Sequence, residues 1–333
     1  MDWAAGYASA FRLMSVDHVT WADAGQVAGL SGLSAAASVD GDAPAIDSAD
    51  ATLDRSLGGD GYVRAWMDAE QDGEVVRVGI GTYLAQANMA DGEPTETARV
   101  ELYSVLQPAA ERLLAAGWYA PAGSHGPTVA GELLAAALDA PVSVSSGEGG
   151  ELAENMVSAG ESYLSMAWAL CGDAWEIVTD GLGNATVRPR PTSATPIPER
   201  SIIGGGISTS WDLAGVPNVV IATDGTTTAE AVNDDPASPT STVSRGRRIE
   251  ASASGTRLAD ETLQAFAERS LKEMSTAAET AEYEREWVDG VRVGSRVTLP
   301  GHEGSWRVVA QQVSTGCGAT VQETATREMT TYA

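Results

Sequence analysis

The residues that could do chemistry in this chain are few and dispersed. His18, His125 and His302 stand far apart, and none lies within five residues of another histidine, a cysteine or an HExxH frame. A zinc site needs three or four convergent ligands, and local spacing usually betrays them. The spacing here favours solvated or strand-edge histidines. Cys171 lies on the apolar side of an expected helix and reads as a small buried hydrophobe. Cys317 lies between two glycines, with nothing nearby to lower its pKa as a nucleophile requires. Gly204-Gly205-Gly206 follows two isoleucines but lacks the lysine and the following helix of a phosphate loop, so a turn or bulge is expected. No GxSxG elbow or GxGxxG fingerprint is present. With 46 carboxylates, some pair must fall at the ~5–9 Å separation of glycosidases, so that signal carries no information. Arg245, Arg247 and Arg248 cluster after Ser244 and could meet a phosphate, but a solvated loop or subunit contact is the plainer reading. Trp21, Trp66, Trp118, Trp168, Trp175, Trp211 and Trp306 are spread along the chain, whereas a sugar platform would cluster them. The expectation is no catalytic residue, no cofactor and no metal.

Composition narrows the function classes further. Acids outnumber bases 46 to 20, a formal charge of −26 over 333 residues. Wrapping nucleic acid by counterion release needs a basic face, and so does docking on anionic lipid. No run approaches the ~18 apolar residues of a spanning helix. The start, Met1-Asp2-Trp3, lacks the pattern of a signal peptide, and two cysteines are too few for a disulfide framework. These features predict a soluble, acidic chain of two or three domains folded in a reducing cytoplasm.

The elements that would position any site fall into three segments. Residues 1–116 read as β. Gly61 to Ala69 alternates, with Val63, Ala65 and Met67 on one face and Tyr62, Arg64 and Trp66 on the other. Asp72-Gly73 is a strong hairpin signal, and Val76 to Leu84 alternates again. Thr95 to Leu106 gives a further strand, with weaker ones at Ala10–Val19 and Leu33–Val39. Residues 117–195 read as a small α+β domain. Helical spacing begins at Pro108–Trp118, a second helix follows with Thr128 as N-cap, and a third runs Glu161–Cys171. A hairpin follows, with strands at Trp175–Thr179 and Ala185–Pro189, and a proline-rich exit spans Pro189–Pro198. Residues 196–333 return to β, with one long helix over 258–283. Its stripe is Leu263, Phe266, Ala267, Ser270, Leu271, Met274 and Ala278.

In that order the pieces resemble the hub proteins of bacteriophage tails, the baseplate-hub and tail-tip family that includes the late-control gene D group. Gly61-Tyr-Val-Arg-Ala-Trp with Val76-Arg-Val-Gly-Ile-Gly-Thr-Tyr-Leu is similar to the family's early hairpin. Ser162-Tyr-Leu-Ser-Met-Ala-Trp-Ala-Leu, then Trp175-Glu-Ile-Val-Thr-Asp-Gly and Val187-Arg-Pro, resembles the helix and hairpin of its inserted domain. The most specific stretch runs from Val216-Pro-Asn-Val-Val-Ile through Asp235-Pro-Ala-Ser-Pro, Arg247-Arg-Ile-Glu and Ala267-Glu-Arg-Ser-Leu to Val293-Gly-Ser-Arg-Val-Thr-Leu. Gly294-Ser295-Arg296 departs from the family's usual Gly-Asp at that turn, and no peptidoglycan-hydrolase segment is evident.

The resemblance implies a mainly β fold with some α. It implies two tail-tube-like β-barrels, the inserted α+β domain, and the long helix packed on the second barrel. It implies a homotrimer whose six barrels adapt a six-fold tail tube to a three-fold tip and form part of a DNA channel. The implied partners are a distal tail protein or the last tube ring, tip, fibre or tape-measure proteins, and passing DNA held without specific binding. The implied place is the virion tail tip, after assembly in the host cytoplasm. Two other classes compete. A receptor- or glycan-binding tip protein predicts an exposed aromatic cluster, and a cell-wall hydrolase predicts a paired catalytic constellation. The sequence displays neither.

Overall fold

The computed structural model describes residues 1–3, 5–39, 43–54, 57, 59–86, 98–254, 257–258, 260–315 and 319–332. Strands dominate. The first seven are β1 (Ala8–Val16), β2 (Asp23–Val27), β3 (Leu30–Ser38), β4 (Ile46–Leu53), β5 (Gly61–Gln71), β6 (Glu74–Ala85) and β7 (Ala98–Ser104). Then come α1 (Gln107–Glu111), β8 (Tyr119–Ala120), α2 (Gly126–Ala137), β9 (Val142–Val144), β10 (Met156–Val157), α3 (Tyr163–Cys171), β11 (Trp175–Thr179) and β12 (Ala185–Pro189). The chain continues with β13 (Thr195–Pro196), β14 (Ile202–Trp211), β15 (Val219–Thr223), β16 (Thr228–Val232), α4 (Thr242–Arg245), β17 (Glu250–Ser252) and α5 (Leu263–Met274). It closes with β18 (Thr276–Glu286), β19 (Arg296–Thr298), β20 (Trp306–Thr315) and β21 (Ala319–Thr330). The chain divides into one unit of residues 1–206 and 283–324 and another of 207–282 and 325–333.

In the first unit an antiparallel sheet runs in the order β20-β3-β4-β7-β6-β5-β1-β2. The β5–β6 hairpin turns where the sequence predicts. Asp72 and Gly73 both take positive φ, 52° and 83°, and Gln71 faces Glu74 across the turn. Val63, Ala65 and Met67 enter an apolar core with Leu13, Leu53, Leu102 and Val321. The other face of β5 is covered too, since Tyr62 and Arg64 are buried. The sequence predicts a strand from Thr95. Its observed part is β7, and residues 95–97 lie outside the described residues.

The segment between β7 and β13 is α+β as expected. Helices α2 and α3 pack together against the sheet β11-β12-β9, around Leu134, Leu170, Trp175, Ile177 and Val187. Local boundaries differ from the expectations. The N-cap of α2 is His125, not Thr128, because Pro127 suits the first turn, where its missing N–H costs nothing. Ser162 caps α3 by accepting from the Ser165 N–H at 3.1 Å. The expected helix at 108–118 stops at Glu111, because the chain then pairs with residues 156–163 instead.

In the second unit, β16-β15-β17 forms a three-stranded sheet with α5 packed against it. The expected helix over 258–283 is corrected here. Its first residue is Leu263, fixed by the Thr262 side chain accepting from the Ala265 N–H, and it ends at Met274. From Thr276 the chain is strand β18, with Ala277, Glu279, Ala281, Tyr283 and Arg285 buried in alternation. Alanine and glutamate favour helix in isolation, but pairing within a sheet overrides that weak preference. The stripe itself is real over the shorter helix. Phe266, Ala267, Ser270 and Leu271 are buried, and Leu263 and Met274 pack beside them. Of the turn or bulge expected at Gly204–Gly206, the turn is absent: the three glycines lie within β14, with Gly204 and Gly206 at positive φ.

Candidate functional site

The most elaborate polar construction in the first unit seats the turn of the β11–β12 hairpin on the sheet. Asp180 shapes that turn by accepting from the Leu182 and Asn184 N–H groups, both at 2.9 Å. Arg64, from β5, spans the contact. Its guanidinium donates to the Thr82 hydroxyl at 2.9 Å, to Asp23 at 2.8 Å, and to the carbonyls of Trp21 and Leu182 at 3.2 and 3.0 Å. The Trp21 indole donates to the same Leu182 carbonyl at 2.8 Å, from a residue held at positive φ. Arg292 donates to the carbonyls of Ile80 and Gly79 at 2.8 and 2.6 Å. Gly79 and Gly181 meet backbone to backbone. A Cβ on Gly181 would lie 2.0 Å from the Gly79 oxygen.

Beside this contact lies a cavity of about 50 Å³ lined in part by Ala35, Ala37, Asp47, Tyr83, Thr179 and Arg292. It has room for water-sized groups only. Asp47 accepts from the Ser104 hydroxyl at 2.5 Å. Burial raises its carboxyl pKa against that bond and the Arg292 charge. Burial likewise raises the Tyr83 phenol and lowers Arg292. Elsewhere in the unit, Arg285 on β18 and Glu323 on β21 form a fully buried two-pronged pair, with contacts of 2.8 and 2.5 Å. Gln311 donates to Glu323 at 2.7 Å and to the Val291 carbonyl at 3.1 Å.

The second unit buries amides and hydroxyls. Asn218 donates to the Thr240 and Arg247 carbonyls and accepts from the Ile249 N–H. Asn233 donates to Ser238 at 2.9 Å, and Thr240 bonds Thr331 at 2.9 Å. These groups brace the 233–250 loop. They form no nucleophile–base pair.

The residues singled out from sequence stay apart. His18 is exposed in a turn. His125 bonds the Thr128 hydroxyl at 2.8 Å and the Gly149 carbonyl at 3.1 Å, edge-on to Trp175. His302 bonds the Pro300 carbonyl at 3.0 Å. Cys171 is buried, and burial pushes its thiol up to about 12, away from thiolate chemistry. Cys317 lies outside the described residues. Two of the three clustered arginines bond neighbouring segments of the second unit. Arg245 holds the carbonyls of Val216 and Leu213, and Arg248 pairs with Glu230 and Glu250 at 2.7 and 3.0 Å. Arg247 is exposed. Among the described residues, no group of three His, Cys, Asp or Glu side chains is placed to hold a metal ion. No helix of the described residues is long and apolar enough to cross a membrane.

With that geometry in hand, solved structures give the comparison. The 43 kDa tail protein of prophage MuSo2 from Shewanella oneidensis superposes with a TM-score of 0.59 at 10% identity, covering 96% of this chain and 98% of that one. The tail protein from Neisseria meningitidis MC58 gives 0.56 at 14% identity, covering 96% and 97%. The fold is that of phage tail proteins. No protein-family model and no curated protein matches the chain. At these identities the likeness concerns the path of the backbone, and the resemblance read from ordered sequence pieces agrees with it.

Sequence reasoning missed the inward arginines. Buried Arg64 and Arg285, with half-buried Arg292, carry the first unit's polar contacts. For the Arg285–Glu323 pair the available signal was a charge where strand alternation points inward; Arg64 stands on the opposite phase from Val63, Ala65 and Met67, and Arg292 lies outside the strands. Arg285 and Glu323 both sit on the buried phase of their strands.

Proposed function

We propose that this chain is a structural, non-enzymatic hub of a phage baseplate or tail tip. The observation that carries this reading is the likeness to two tail proteins, one of them from a prophage, along 96% of the chain, with nearly all of each relative covered. Its interior agrees with a structural role, since the buried polar groups brace loops and strands. In this proposal the chain folds as two tube-like β-barrels. The first is interrupted by the inserted domain of residues 117–195, and the second is built within residues 196–333. Three copies present six barrels, so a six-fold tube meets a three-fold tip. A distal tail protein or the last tube ring binds above, and tip, fibre or tape-measure proteins bind below. The hub belongs to the virion and is assembled in the host cytoplasm.

The charge fits a channel that lets DNA slide. A trimer carries a formal charge of −78, three times the −26 of one chain. Acidic walls repel phosphate, whereas arginine-rich walls would hold it by counterion release. The lumen is therefore lined by Asp, Glu and small polar residues, with Arg245, Arg247 and Arg248 outside it. Electron microscopy of assembled tails, with native mass measurement of the released ring, tests the reading. A three-fold ring with an acidic lumen is expected. A monomer within assembled tails, or a positively lined lumen, would overturn it.

A further inference from the structure

A two-stranded ribbon on the inserted domain presents an uncharged apolar face to solvent. Strands β8 and β10 pair antiparallel, with Val157 opposite Tyr119 and Met156 opposite Ala120. The ladder continues through the Gly117 N–H to the Ser158 carbonyl at 2.9 Å, and the Leu114 N–H to the Glu161 carbonyl at 2.9 Å. One face is inward, with Ala120 in the core and Met156 packed against it. The other bears Tyr119 and Val157 side by side, 59% and 58% exposed, and Leu113 farther along the same pairing is 70% exposed. A solvent face of a sheet is normally polar. Here residues 113–124 and 155–160 contain no charge at all, in a chain of which 20% is charged.

The border of this face is acidic. Glu111, Glu154 and Glu161 are exposed where the uncharged segments begin and end. Glu161 is fixed there, its carboxylate accepting from the Ser158 hydroxyl and the Ala159 N–H at 2.8 Å each. The Glu161 backbone N–H first, and then those two bonds, hold its pKa below the ordinary value. Asn155 pins the far end by accepting from the Ala122 N–H at 2.8 Å. The bordering base, Arg112, is turned away to the Ala136 carbonyl and the Tyr163 ring. Three apolar side chains also make too small a face for a stable dimer, which needs about 800 Å² from each partner. A second copy would moreover set the same acidic border, Glu111, Glu154 and Glu161, against this one.

We infer that this ribbon face docks a different protein, through a short extended segment with an apolar centre and lysine or arginine at its ends. Leu113, Tyr119 and Val157 take the apolar side chains, and Glu111, Glu154 and Glu161 take the flanking cations. The inference goes beyond the hub reading and does not need the trimer, so each can fail alone.

The test uses the full chain with methyl-labelled leucine and valine and two synthetic peptides, KKVTVYVKK and EEVTVYVEE. The lysine-flanked peptide is expected to shift the Leu113 and Val157 methyl signals saturably. The glutamate-flanked peptide should bind at least tenfold more weakly, as should the Tyr119→Asp/Val157→Asp variant with the lysine peptide. Both substitutions are at exposed positions, and an unchanged circular dichroism spectrum checks the fold. Equal binding of the two peptides, no binding, or shifts elsewhere would overturn the inference. Concentration-dependent self-association abolished by the same variant would overturn it too, in favour of a second copy.

Discussion

Two ion pairs link β18 with β21, one in each unit, and their surroundings differ. In the first unit Arg285 and Glu323 are both at 0% side-chain exposure, with Gln311 completing the carboxylate's bonds. In the second unit the charges swap strands. Glu279 on β18 accepts from Arg327 on β21 at 2.6 Å, with side-chain exposures of 6% and 22%. The difference teaches where each unit draws its specificity. The first unit hides this pair in its interior and satisfies it with Gln311. The second keeps its arginine near water and fills its interior with Asn218, Asn233, Ser238 and Thr240. A buried ion pair is poor evidence of net stabilisation, but breaking one leaves a charge stranded in low dielectric.

The largest effect should therefore come from breaking the first pair alone. Glu323→Ala should cost about 3–5 kcal/mol, because Arg285 is left unpaired and unhydrated. Arg327→Ala should cost less, about 1–3 kcal/mol, because Glu279 is left nearly buried but the place Arg327 vacates is partly open to water. Replacing both partners, as Arg285→Met with Glu323→Leu, should recover most of the first loss. Urea unfolding of the four proteins checks the ranking. Equal costs at Glu323 and Arg327 would erase the contrast between the units.

The apolar side of the comparison is read by Leu271→Ala. Leu271 is fully buried in the small cluster of Val220, Ala222, Ala231, Phe266 and Ala267. A cost of about 2–5 kcal/mol is expected from lost transfer energy and the cavity left behind. A negligible change in urea midpoint would mean that α5 does not close the second unit's core. At the first unit's hairpin contact, Gly181→Ala places a methyl against the Gly79 backbone oxygen, which has no flexible end to move aside. It should cost about 1–3 kcal/mol through forced backbone displacement. Amide exchange should rise locally at 180–184.

How legible was this in the sequence? The β5–β6 hairpin was, because Asp72-Gly73 encodes its own turn and both arms alternate cleanly. The helices of the α+β segment between β7 and β13 were also legible in outline, since Leu133, Leu134, Leu164 and Leu170 mark helix faces by local spacing. The segment after Met274 was not. Thr276–Glu286 is built from good helix formers, and its strand conformation is set by pairing with distant chain. The polar contacts were hidden for the same reason. Arg64 bonds Leu182 and Arg292 bonds Gly79, and sequence spacing carries no record of contacts over such separations.

The smallest effects, and the ones with opposite sign in the two units, concern pH. In the second unit Arg269 donates to both oxygens of Glu261, and that bonding lowers the Glu261 pKa to about 2 from the ordinary 4.5. A depressed folded-state pKa contributes stability that is full above 4.5 and fades as pH falls toward 2. Glu261→Gln should remove that dependence, lowering the thermal midpoint at pH 7 and leaving it nearly unchanged at pH 2. Asp47 in the first unit works the other way. Burial raises its pKa above the ordinary 3.8, so the folded chain holds the proton more tightly than the unfolded chain does. Stability is then lost as pH rises from 3.8 through the folded-state value. Asp47→Asn mimics the protonated acid and can still accept from the Ser104 hydroxyl. It should raise the midpoint at pH 7 and change little at pH 3. Thermal unfolding of the wild type and both variants between pH 2 and 7 reads the two signs directly. A loss of stability at pH 7 for Asp47→Asn would mean that the Asp47 charge is held by Arg292 across the cavity. The first unit would then gain from its buried carboxylate as the second gains from Glu261.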